Sequence, residues 1–146
     1  MARREKRTPT HHQVSVRLSG STFEKLERRR KEAAASRNAL TERYVAEGVS
    51  MDEHPDVYFR EGALGRRAAL LGTRLDIWQV VATVRDSGNS VEDAADYLGL
   101  PVAKVQAAIS YYATNREEVD EIASREAAAA ERAEAAWRAG QEILAS

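Results

Sequence analysis

Three polar side chains at alternate positions near the start of the sequence have the chemistry to read DNA base edges. They are Gln13, Ser15 and Arg17. Arginine can donate two hydrogen bonds to guanine, glutamine can pair with adenine, and serine can bond to several bases. The apolar residues that alternate with them are Val14, Val16 and Leu18. An ordinary strand with one solvated polar face is the alternative interpretation.

Positive charge is concentrated around this segment. Residues 1–31 carry ten Lys or Arg and three Glu, a net charge of +7, whereas residues 32–146 carry twelve basic and twenty acidic residues, a net charge of −8. This asymmetry predicts a small region that meets a polyanion. Residues 1–12 form a predicted flexible arm, whose candidate phosphate or minor-groove contacts are Arg3, Arg4, Lys6 and Arg7. A solubilising tail is the alternative for the arm.

The elements that would position these side chains are a strand and two helices. The alternation over residues 13–18 predicts the strand, and two capped amphipathic stretches predict helices over residues 22–35 and 37–47, with Gly48 as the stop. The start of the second helix offers free N–H groups to a phosphate, with Ser36 and Arg37 beside it. A single strand leaves its backbone unpaired, so we expect two copies to form an antiparallel ribbon that enters the major groove.

The alternating strand, the Ser-capped first helix and the Ser36-Arg37-Asn38-Ala39-Leu40 entry to the second helix carry a family resemblance. Residues 13–48 resemble the ribbon-helix-helix DNA-binding proteins, the group of Arc, MetJ and CopG. The resemblance implies a homodimer that binds double-stranded operator DNA through Gln13, Ser15 and Arg17.

The middle of the chain divides into a connector and a helical module. Residues 49–75 have scattered glycines and predict a connector with possible short strands. Residues 76–116 predict a helix-turn-helix-like domain, with a cap at Ser90 and a turn at Gly99-Leu100-Pro101. Its second helix has Lys104 as its single basic residue, and the helix before it is acidic. A packing role is therefore favoured over a second DNA-reading unit.

A second resemblance rests on Gly72-Thr73-Arg74, on Ser90-Val91-Glu92-Asp93-Ala94-Ala95 and on Tyr111-Tyr112-Ala113. These segments look like a winged-helix-like domain family of bacterial antitoxins. The whole chain resembles two-module antitoxins of the VapB-like kind, which are paired with ribonuclease toxins of the PIN or PIN-like class. The resemblance implies that the N-terminal module represses the operon and that the C-terminal part binds the toxin.

Residues 117–146 are rich in Ala, Glu and Arg, lack proline, and predict one long helix. We interpret this helix as a candidate toxin-binding segment, with contacts at Ile122, Arg125, Arg132, Trp137 and Arg138. An arginine there could pair with the clustered acidic residues that hold the metal ion of PIN-type nucleases, as the resemblance implies. A solvated helix with Glu121–Arg125 and Glu134–Arg138 pairs is one alternative. Dimerisation as a coiled coil is another, which the missing strict heptad disfavours.

Several classes of function are disfavoured by composition. The chain has no cysteine, its three histidines lie outside metal-ligand spacing, and it has no phosphate-binding loop and no apolar run of membrane-spanning length. We therefore expect a cytoplasmic, non-enzymatic protein without cofactor, metal site or membrane contact. The expected fold is mainly α, with an N-terminal ribbon-helix-helix, a helix-turn-helix-like domain and a long C-terminal helix. The expected function is a toxin-neutralising antitoxin that represses its own operon. The alternative is a ribbon-helix-helix transcriptional regulator with no toxin partner, whose helical domain serves oligomerisation or ligand binding.

Overall fold

The computed structural model describes residues 10–146, and the chain forms two compact units, Met1–Arg43 and Tyr44–Ser146. The described part contains six helices and one β-hairpin. In chain order the elements are α1 (Gly20–Ala33), α2 (Arg37–Glu53), β1 (Val57–Gly62), β2 (Gly65–Leu70), α3 (Ile77–Asp86), α4 (Val91–Leu98), α5 (Val102–Thr114) and α6 (Arg116–Ala145). The prediction of a mainly helical chain is correct.

The predicted N-terminal ribbon is wrong. Residues 10–19 form neither helix nor strand, and the two-stranded sheet of the described chain follows α1 and α2 instead of preceding them. Val14, Val16 and Leu18 are 78%, 71% and 44% exposed. The alternation of polar and apolar residues is typical of a strand with one buried face. A strand also needs a neighbouring strand for its backbone hydrogen bonds, and the alternation gives no information about one. The ribbon-helix-helix fold is therefore not the architecture of this chain.

Local capping explains the two helices that follow. Ser19 precedes α1, and its side-chain oxygen accepts a hydrogen bond from the Thr22 backbone N–H at 3.3 Å, so α1 starts two residues before its predicted start. The predicted cap at Ser36 is correct, because its hydroxyl accepts the Ala39 N–H at 3.1 Å. The predicted stop at Gly48 is wrong. α2 continues to Glu53 and ends before His54-Pro55, where the residue preceding proline disfavours helix.

The hairpin occupies the predicted connector. β1 and β2 pair antiparallel from Val57↔Leu70 to Gly62↔Gly65. The two residues between the strands, Ala63 and Leu64, form a tight turn. Gly65, the first residue of β2, has a φ of +114°, a backbone conformation that favours glycine. Because both strands are adjacent in sequence, each finds its partner without a second copy of the chain.

Three short helices pack together beside this hairpin and form the core of the second unit with it. α3, α4 and α5 contact one another, and α3 and α5 also contact the hairpin. The predicted cap at Ser90 is correct, as its hydroxyl accepts the Asp93 N–H at 3.1 Å. Gly99 ends α4 in the left-handed conformation, with φ of +65°, and the next helix starts after Pro101. The fully buried core side chains include Leu70, Ile77, Val80, Val105 and Tyr111.

α6 is packed only along its first part. Val119 and Ile122 lie in the interior, and Glu126 bonds to the hairpin through Arg67. From residue 131 onward every side chain of the helix is exposed except at Gly140, which is half-buried. At 1.5 Å per residue the whole helix is about 45 Å long. Across residues 10–146, no helix combines the length and the apolar character needed to cross a lipid bilayer.

Candidate functional site

The candidate base-reading residues lie on an exposed segment. Gln13, Ser15 and Arg17 are all solvent-exposed. No hydrogen bond or ion pair to another described residue is seen for any of the three, so their polar groups are accessible to a ligand. The candidate arm residues Arg3, Arg4, Lys6 and Arg7 lie outside the described residues.

Two side chains of α1 hold Arg37, the first residue of α2, in place. Its Nε donates to Glu27 at 2.6 Å, and its guanidinium lies 5.1 Å from the centre of the Phe23 ring. Glu27 also accepts a hydrogen bond from Arg30 at 3.1 Å. The hydrogen bonds from Arg37 and Arg30 lower the pKa of Glu27 to about 2. Arg37 is therefore engaged within its own unit, and the hydroxyl of Ser36 caps α2, so neither is as free for a phosphate as the sequence predicts.

The candidate toxin contacts on α6 are one buried apolar residue, one exposed apolar residue and three arginines. Ile122 is 8% exposed and packs in the interior, whereas Trp137 is 67% exposed. Arg125 and Arg138 form ion pairs with Glu121 and Glu134, each one helical turn earlier, as the solvated-helix alternative predicts.

Arg132 differs from the other two arginines of this group. It is exposed on α6, and no ion pair to another described residue is seen for it. Its charge is thus available to a carboxylate on another molecule.

The most buried charged cluster of the second unit was not anticipated from the sequence. Asp76, 3% exposed, accepts hydrogen bonds from Arg60 at 2.5 and 2.8 Å and from Arg67 and Trp78 at 3.1 Å each. Arg67, 5% exposed, also bonds to Glu126 of α6. Hydrogen bonding to Glu126 is the main cause that raises the pKa of Arg67. The cluster ties the hairpin, the start of α3 and α6 together. Within the described residues, the Nη2 atom of Arg67 is buried without a hydrogen-bond partner.

A second polar cluster lies around Tyr111. The Tyr111 hydroxyl donates to the Glu118 carboxylate, with both oxygens at 3.1 Å, and the His54 ring meets the Tyr111 ring edge-on at 5.2 Å. Partial burial raises the pKa of Glu118, and the nearby charge of Glu47 adds to that effect. Burial is likewise the main cause that raises the pKa of Tyr111.

The carboxylates of both clusters are engaged by neighbouring side chains. Those of Asp76 and Glu126 face arginines, and that of Glu118 faces the Tyr111 hydroxyl. The Nε2 atom of His54, beside the second cluster, lies 3.5 Å from the Thr114 hydroxyl. Within the described range, no three His, Cys, Asp or Glu side chains converge closely enough to hold a metal ion. Among the described candidate residues, Gln13, Ser15 and Arg17 of the N-terminal segment and Arg132 and Trp137 of α6 are exposed. No family model, no curated protein and no solved structure matches this chain.

Proposed function

We propose that the protein is an antitoxin-type regulator that binds DNA through its N-terminal segment and binds a PIN-like ribonuclease toxin through its C-terminal unit. The observation that carries the proposal is the separation of charge and accessibility along the chain. Residues 1–31 carry a net charge of +7, residues 32–146 carry a net charge of −8, and a long exposed part of α6 follows the packed domain.

The DNA-binding half of the proposal rests on side chains and charge, without an N-terminal ribbon. Gln13, Ser15 and Arg17 are exposed and carry the hydrogen-bonding groups that read base edges. The surrounding lysines and arginines supply phosphate contacts, whose counterion release makes binding fall steeply with salt.

DNA binding is tested with the full chain and a labelled duplex from the promoter region upstream of its own gene. We expect Arg17→Ala to weaken binding by about 1–3 kcal/mol and to relax sequence preference. Arg74→Ala is the matched control, because Arg74 is an exposed arginine of the acidic second unit and should not matter. Equal affinity of the parent and the Arg17→Ala chain on all duplexes would refute the reading role of Arg17.

The toxin-binding half of the proposal rests on the outer part of α6. Arg132 is an exposed cation for which no ion pair to another described residue is seen. Arg125 and Arg138 lie on the same helix, and each forms an ion pair with a glutamate of that helix. A metal-dependent ribonuclease gathers carboxylates at its active site, and a guanidinium is the side chain best suited to pair with them.

Toxin binding is tested by co-purification with the product of the gene next to its own, which we expect to be a small ribonuclease. An RNA-cleavage assay of the complex follows. We expect the parent chain to inhibit cleavage and Arg132→Glu to release it, whereas Arg74→Glu retains inhibition. A chain that binds its promoter but captures no ribonuclease would instead be a transcriptional regulator without a toxin partner.

A further inference from the structure

We propose that the outer part of α6 pairs with the same segment of a second copy of this chain, in antiparallel orientation. This inference goes beyond the proposed function and does not depend on it. It starts from a row of uncharged side chains that runs along the exposed part of the helix. The row consists of Ala130, Ala133, Trp137, Gly140 and Leu144.

The row lies on one side of the helix. Its members are separated by three, four, three and four residues, so at 100° per residue they fall within an arc of about 80°. This is the spacing of a coiled-coil seam, confined to the part of α6 that leaves the packed domain. The same side of the helix carries Val119, which is buried in the core nearer the start of α6. The interior face therefore continues outward as a face without a partner within the described chain.

The large members of the row are strongly exposed. Trp137 is 67% and Leu144 is 82% exposed, and Ile143, beside the row, is 74% exposed. Large exposed apolar side chains in and beside this row, three within eight residues, favour burial against another surface.

The order of large and small side chains identifies the second surface. Along the helix the sizes read small, large, small, large at Ala133, Trp137, Gly140 and Leu144. An antiparallel second copy reads large, small, large, small, so Trp137 meets Gly140 of the second copy and Leu144 meets its Ala133. Beside the row, Ile143 meets Ala136 of the second copy by the same rule. Each pair occurs twice, as a two-fold symmetric interface requires.

Parallel pairing lacks this fit. It would place Trp137 against Trp137 and Gly140 against Gly140, so one layer would have a steric clash and the next a cavity. In the antiparallel pair, Glu134 lies opposite the neutral Gln141 of the second copy, so no like charges meet across the edge of the seam. Arg125, Arg132 and Arg138 lie outside the seam and stay accessible.

The first experiment measures the oligomeric state of the full chain by sedimentation equilibrium over a concentration series. We expect a reversible dimer. Trp137→Ala leaves a hole opposite Gly140, and Gly140→Trp sets two indoles against each other, so each should raise the dimer Kd at least about tenfold. The double variant with both changes restores one large and one small side chain in each layer, and it should recover most of the affinity. Circular dichroism checks that each variant remains folded.

A control and an orientation test complete the design. Glu142→Ala, on the side of the helix that faces away from the row, should leave the dimer Kd unchanged. Because the chain has no cysteine, an Ala133→Cys chain can be mixed with a Leu144→Cys chain under oxidising conditions. The mixture should cross-link, whereas either chain alone should not, since antiparallel pairing separates like positions by about 16 Å.

Three outcomes would overturn the proposal. They are a monomer at all concentrations, a dimer with the same Kd in the parent and both single variants, and cross-linking of either cysteine chain alone. A monomer in which Trp137→Ala abolishes ribonuclease capture would assign this face to the toxin.

Discussion

Asp76 shows how one buried carboxylate can organise a small domain. It accepts hydrogen bonds from Arg60, Arg67 and Trp78, and it precedes α3 as its N-terminal cap. Asp76→Ala would leave the buried Arg67 with Glu126 as its remaining anionic partner. We expect a loss of about 3–5 kcal/mol in the free energy of unfolding, measured by urea denaturation.

Asp52→Ala is the control for this prediction, because Asp52 is exposed on α2. It should change the unfolding free energy by less than about 0.5 kcal/mol. Equal effects of the two substitutions would mean that the Asp76 cluster adds nothing to stability.

Gly62 is required by the same cluster. A Cβ at this position would overlap the guanidinium of Arg67, which cannot move away freely because it is buried and bonded to Asp76 and Glu126. We expect Gly62→Ala to destabilise the protein by about 1–3 kcal/mol in urea denaturation. Gly48→Ala, inside α2 with open space around it, should stabilise by about 0.5–1 kcal/mol. Effects of the same sign would contradict the steric argument.

Glu118 predicts a pH dependence of stability. Because the pKa of Glu118 is raised in the folded protein, the folded chain holds this proton more tightly than the unfolded chain does. The stability that the protonated carboxyl contributes at low pH is therefore lost as the pH rises through the folded-state pKa. Glu118→Gln keeps an oxygen for the Tyr111 hydroxyl and removes the charge. At pH 7 it should be more stable than the matched Glu117→Gln by less than about 1 kcal/mol, because Glu118 remains partly exposed.

The measurement is urea denaturation of both variants between pH 4 and pH 8. The difference between them should shrink toward acidic pH, where Glu118 of the Glu117→Gln chain is itself protonated. A difference that is constant with pH would show that the Glu118 charge does not oppose folding.

The helices were predictable because their signals are local. Ser36 and Ser90 lie immediately before their helices and bond to N–H groups three residues later, and Gly99 supplies a left-handed stop. The strand over residues 13–18 was not predictable in the same way. Alternation is also local, but a strand forms only where a second strand completes its hydrogen bonds. The hairpin meets that condition between neighbouring segments, whereas residues 10–19 have no such neighbour along the chain.

The buried charges could not be found from spacing. Arg67 lies nine residues from Asp76 and fifty-nine from Glu126, so their meeting depends on the packing of β2, α3 and α6. In the sequence, Arg67 looks like one more surface cation between Arg66 and Ala68. The ion pairs of Arg125 and Arg138 on α6 could be predicted, because they follow from helical spacing alone.

The residues that stabilise the fold and the residues that are accessible to a partner lie in different parts of the chain. α6 contains both kinds. Its first part supplies Val119, Ile122 and Glu126 to the second unit, and its last part is exposed. A chain shortened to residues 1–130 should therefore unfold in urea within about 0.5 kcal/mol of the parent, at concentrations below the dimer Kd. A chain shortened to residues 1–116 should lose its cooperative transition, because it lacks two core side chains and leaves Arg67 without Glu126.

The two truncations also divide the functions of the helix. The chain of residues 1–130 should bind promoter DNA through each copy with unchanged contacts, yet it should neither self-associate nor capture a ribonuclease. If it unfolds at markedly lower urea than the parent, the exposed part of α6 stabilises the domain and is not a free binding surface. If it is equally stable but still forms the dimer, the pairing surface lies elsewhere. Stability unchanged with self-association lost is the result that places binding, and not folding, in the last part of α6.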